Sequence, residues 1–114
     1  MNYESTARVD VSELLLTDGQ TLLFTDFPSA EPCSVAVYPE AGATVYVSLS
    51  FSLPSRVKAG TCRFTAAGIG EVGVAPDGQP AGIVTATDGL VLDGPVTALR
   101  FVCVGGSAAV EVVQ

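Results

Sequence analysis

The chain contains no histidine, and its three cysteines, Cys33, Cys62 and Cys103, stand far apart with no Cys-x-x-Cys pair. Zinc needs sulfur and nitrogen ligands at short spacing, so no zinc site is predicted. The lack of imidazole also removes Ser-His-Asp and Cys-His nucleophile arrangements and any two-histidine metal centre, including the histidine-rich site of a cupin. What remains is carboxylate chemistry. Twelve Asp and Glu residues make some acid pair inevitable, and glycoside hydrolysis needs two carboxyl groups at a set separation. Asp18, Asp77, Asp88 and Asp93 each precede a glycine, where a turn explains them, and no tryptophan is available to support a sugar ring. Asp88-Gly89 and Asp93 have the short spacing of a calcium loop, but the alternating acids and closing glutamate of an EF-hand are missing. Two successive turns framing Leu90-Val91-Leu92 are the simpler account. Gly68-Ile69-Gly70 and Gly105-Gly106 are not followed by a helix that would receive a phosphate. The residues therefore predict no catalytic site, no metal and no cofactor, with a small carboxylate-dependent hydrolase as the enzymatic alternative.

Recognition is the chemistry left to explain. Twelve acids against five bases give a net charge of −7, which repels phosphate backbones and anionic membrane surfaces, so neither nucleic acid nor membrane is expected as a partner. Three of the bases, Arg56, Lys58 and Arg63, nevertheless fall in one short segment. They are expected to meet an acidic partner surface; the alternative is a solvated loop beside a strand. Tyr38 and Tyr46 fall on the outward phase of adjacent predicted strands, and exposed tyrosines are good interface anchors. An ordinary cross-strand pair is the plainer reading of them. These five residues are the partner-binding candidates.

The elements that must position them are strands. Four Asp-Gly dipeptides break the chain into short apolar runs, and Asp-Gly favours turns between paired strands, so the chain is expected to be built of β-hairpins. Strands are predicted over 7–16, 21–25, 34–38, 44–53, 61–66, 70–75, 81–87, 96–104 and 108–113. The clearest is 44–53, where Val45, Val47, Leu49, Phe51 and Leu53 alternate with Thr44, Tyr46, Ser48, Ser50 and Ser52. That period puts the apolar set in the core and the hydroxyls toward solvent or a polar interface. The segment 11–16 is too short for a helix before Asp18-Gly19 ends it. The cysteines share the phase of their apolar neighbours and are expected in the core as small hydrophobes, with a disulfide between two of them, leaving one thiol over, as the alternative.

Apolar residues make up 48% of the chain and charged residues 15%, so a packed core rather than disorder is expected. One all-β domain, an antiparallel β-sandwich over 1–114, fits this length, with residues 1–6 as a flexible N-terminal arm or a frayed terminus. A jelly-roll-like arrangement is favoured over an immunoglobulin-like one, whose core tryptophan is absent. The first residues lack the basic start and apolar stretch of a secretory leader, and no apolar run is long enough to cross a bilayer as a helix. Synthesis in the cytoplasm is the expectation.

The segment from Val96-Thr97-Ala98-Leu99-Arg100-Phe101 through Gly105-Gly106 to Val112-Val113-Gln114 is expected to form a closing hairpin. It resembles one in small structural proteins of tailed bacteriophages, where an "hTxLRxxvxGG" strand and a final apolar strand end the polypeptide. The likeness covers 19 of 114 residues. It implies a capsid cement or decoration protein on the virion exterior, a homo-oligomer (dimer or trimer) bound to the major capsid protein. A tail, baseplate or fibre-associated β-sandwich module is the alternative it implies.

Overall fold

Alternation along the strands sorts this chain into two layers. In Cys33–Pro39, Cys33, Val35 and Val37 are buried while Ser34 and Tyr38 are exposed, as a pleated strand between core and solvent requires. The structure, a computed structural model, describes residues 12–24, 33–92 and 96–113; the proposed N-terminal arm lies outside them. The strands are β1 (Ser12–Leu16), β2 (Thr21–Phe24), β3 (Cys33–Pro39), β4 (Thr44–Ser50), β5 (Phe64–Ala66), β6 (Glu71–Val74), β7 (Pro80–Val84), β8 (Asp88–Leu92), β9 (Ala98–Val104) and β10 (Ala108–Val113), with one short helix, α1 (Pro54–Ala59).

The first sheet has the order β1-β10-β3-β8 and the second β2-β9-β4-β7-β6, with β5 continuing the β4 edge beyond β7. Every pairing is antiparallel. With β5 and β6 set aside as an insertion, eight strands remain, four in each sheet, and the chain changes sheet at every step except β4 to β7, which is the double Greek key of a jelly roll. The fold class is an all-β sandwich packed as one compact domain. Its core joins Leu22, Phe24, Val45, Val47, Leu99 and Phe101 of the second sheet to Val35, Val37, Val110 and Val112 of the first. Phe24 and Phe101 meet edge to face, with ring centroids 6.2 Å apart and planes at 89°.

This topology corrects the hairpin expectation. β1 and β2, β3 and β4, β7 and β8, and β9 and β10 each lie in different sheets. The turns after β1 and β9 are therefore corners that carry the chain across the sandwich. Two of them are laced together: Gly19 N donates to Cys103 O at 2.8 Å and Gly105 N donates to Asp18 Oδ1 at 2.8 Å. Asp77-Gly78 does close a hairpin, β6–β7, with Gly78 at φ 85° and Gln79 N donating to Asp77 Oδ1. Asp88-Gly89 opens β8 instead of turning, because both residues take their places in the ladder opposite Val37 and Ala36. Asp93-Gly94 lies outside the described residues.

Two further expectations change. The strand predicted over 44–53 stops at Ser50, and Pro54 starts α1, where a proline's missing N–H costs nothing. Gly60 ends that helix in the left-handed region at φ 73°. Phe51 and Leu53 are consequently exposed. Ser48 and Ser50, expected outward, are wholly buried, because the insertion between β4 and β7 folds over that part of the sheet. Ser48 Oγ donates to Pro80 O at 2.7 Å and Ser50 Oγ accepts from Ser52 N, so neither hydroxyl is buried without a partner.

All three cysteines are free. Cys33 and Cys103 are in the core, where burial pushes both thiols above their ordinary range, with the Asp18 carboxylate adding to the effect at Cys103. Cys62 is half-buried outside it. Among the described residues no helix is long and apolar enough to cross a membrane.

Candidate functional site

The outer face of the second sheet carries a pocket of about 410 Å³. Its floor is strand: Thr21 and Leu23 of β2, Arg100 and Val102 of β9. These residues share the outward phase because Leu23 pairs with Arg100 and Thr21 with Val102. One wall is the α1–β5 segment, through Val57, Gly60, Cys62 and Phe64; the other is the β6–β7 turn, through Pro76 and Asp77. Val57 is the buried residue of α1 and pins that helix to the sheet.

Arg100 organises the site. Its side chain is 11% exposed, and a charge so placed must be paired. Nη1 and Nη2 donate to Asp77 Oδ2 at 2.6 Å and Oδ1 at 3.2 Å, the fork geometry that suits a carboxylate. The guanidinium also lies 4.4 Å from the centre of the Phe64 ring. Its Nε is buried and makes no hydrogen bond to the described protein.

The hydrogen bond from Arg100 holds the Asp77 carboxyl below the ordinary aspartate range, helped by the Gln79 amide. A native value lowered below the unfolded one stabilises the fold above the ordinary aspartate pKa of about 3.9, and that contribution is lost as pH falls through the native value. Asp77 is half exposed, so water screens much of the effect. Asp77→Asn is expected to be less stable than the parent by a constant margin from about pH 5 to 7. The gap should close below about pH 4, as read by urea midpoints at each pH. A gap that does not narrow in acid would show that the pair contributes nothing through its charge.

The five sequence-predicted residues divide. Arg56, Lys58 and Arg63 are exposed and interleave with the wall residues Val57, Gly60, Cys62 and Phe64. None of the three forms an ion pair among the described residues. Tyr46 is half-buried on the same sheet face, opposite Val102 of the pocket floor. Tyr38 belongs to the first sheet, on the far side of the sandwich. The two tyrosines are therefore not neighbours, because the chain changes sheet between β3 and β4. Arg100, Asp77, Phe64 and Val57 were not singled out by sequence. The one local signal was an arginine alternating with Leu99 and Phe101 on a strand, and its partner is remote in the chain.

No family model matches this sequence, and no curated protein matches it. A solved structure, that of Aeromonas hydrophila PliG, a periplasmic lysozyme inhibitor of g-type lysozyme, aligns over 98% of this chain and 99% of its own. Identity is 15% and the TM-score 0.42, too distant for that protein's activity to be transferred. The comparisons correct the phage reading. That neighbour is a bacterial periplasmic inhibitor and not a virion component. The capsid cement role, its tail-module alternative, the virion location, and the partnership with a major capsid protein as a dimer or trimer are accordingly set aside. The physical reason is visible in the fold: the 19 residues that carried the resemblance do not form a hairpin, since β9 and β10 lie in opposite sheets.

Proposed function

We propose that this chain is a non-catalytic recognition module that binds an acidic segment of a protein partner on the outer face of its second sheet. An apolar side chain of the partner enters the pocket between α1 and the β6–β7 turn, and neighbouring carboxylates meet Arg56, Lys58 and Arg63. The observation that carries this reading is charge segregation. Of the five basic residues in a chain of net charge −7, four lie in the pocket or along its wall. Arg100 is already matched by Asp77, which leaves the three exposed cations for a ligand. Pockets of this kind take affinity from the apolar anchor and orientation from a few charges.

The test is titration of a fluorescent peptide carrying one leucine among aspartates and glutamates against the full chain. Arg56→Glu, Lys58→Glu and Arg63→Glu together are expected to weaken binding at least about tenfold, or about 1.4 kcal/mol, without lowering the melting temperature. Affinity of the parent should fall with added salt. An unchanged Kd in the triple variant, or equal binding of a peptide with serine in place of leucine, would sink the proposal.

A further inference from the structure

We infer that the outer face of the first sheet is a second docking surface, one that takes a basic protein partner. Ladder register lays this face out in rows. Leu15, Ala109 and Tyr38 align across β1, β10 and β3, and Glu111 aligns with Ala36 in the next row. Small residues keep the middle flat, while Leu15, Tyr38 and Val91 stand out into solvent at 76%, 40% and 56% exposure. Leu15 and Tyr38 flank Ala109 in one row, and large exposed side chains so grouped on an open sheet face mark a protein contact.

Charge selects the partner. On the outward phase of this sheet Glu111 is a described acid and no strand residue is basic, whereas Arg56, Lys58, Arg63 and Arg100 all belong to the opposite side of the sandwich. Tyr38 Oη donates to Glu111 Oε2 at 3.4 Å, which sets the aromatic ring beside the carboxylate. A lysine or arginine reaching Glu111 would thus bring its stem against the Tyr38 ring. Two copies of this chain apposed through the same face would bring acids against acids, which argues against self-pairing there.

The experiment titrates the full chain with an amphipathic peptide bearing lysines on one face and leucines on the other, alongside a counterpart with serine for leucine. Glu111→Lys and Leu15→Ser are each expected to weaken binding of the leucine peptide at least fivefold. Glu71→Lys makes the same change in net charge at the exposed edge of the second sheet and should change it less than twofold. The serine counterpart should bind far more weakly than the leucine peptide. Equal losses in Glu111→Lys and Glu71→Lys would reduce the effect to bulk charge and overturn the proposal. So would a concentration-dependent dimer in sedimentation velocity that Leu15→Ser abolishes, which would give the face to a second copy. Neither result bears on the pocket of the second sheet, so the two readings fail independently.

Discussion

Replacing Phe101 with alanine is expected to lower the stability of this domain by about 3–5 kcal/mol, the usual cost of removing a large aromatic from a core. Phe101 is completely buried on β9, between β2 and β4 in the second sheet. Its ring meets Phe24 edge to face, so the substitution removes an aromatic pair as well as buried area, and rigid strands on both sides limit collapse into the cavity. A domain of this size is held by only about 5–15 kcal/mol, so the loss is a large share of the total. In urea the midpoint should drop while the slope stays constant. Phe51→Ala is the control. That phenylalanine is 65% exposed and should cost no more than about 0.5 kcal/mol. Equal losses at the two positions would contradict the core as described.

Gly82→Ala is expected to destabilise by about 1–3 kcal/mol through overpacking. A Cβ at Gly82 would stand 2.1 Å from the carbonyl oxygen of Ile69, and that oxygen is backbone that cannot rotate away. The close approach arises because the segment between β5 and β6 lies across β7, with Ala67 and Ile69 buried there. Gly89→Ala, also within a strand, meets nothing nearer than Val35 O at 3.4 Å and should change stability by less than about 0.5 kcal/mol. Thermal melts of the two variants distinguish a steric cause from a general penalty on strand glycines.

Period-two alternation was enough to locate β3, β4, β9 and β10 to within a few residues, because burial on one face leaves a local record in the residues themselves. Which strands pair leaves no such record. Asp18-Gly19 has the composition of a hairpin turn and serves as a corner between sheets, since β1 finds its partner in β10 and β2 in β9. β8 escaped notice because Asp88-Gly89 favours turns in isolation, whereas the free ladder edge of β3 holds it extended. The burial of Ser48 and Ser50 depended on an insertion that folds back from later in the chain. At the candidate site, the three clustered cations were visible as a local excess. The pocket beside them was not, for it is assembled from four separate segments around an Arg100–Asp77 pair 23 positions apart.

β10 lies inside the first sheet, between β1 and β3. Both of those strands therefore wait for residues 108–113 before they have a common neighbour, however early they are synthesised. During translation the opening strand has no described ladder partner until nearly a hundred residues later, as in Leu16 opposite Ala108. Such late closure makes folding slow and leaves bare strand edges open to other nascent chains. The strand that completes this sandwich is also the one that ends its period of greatest risk of aggregation.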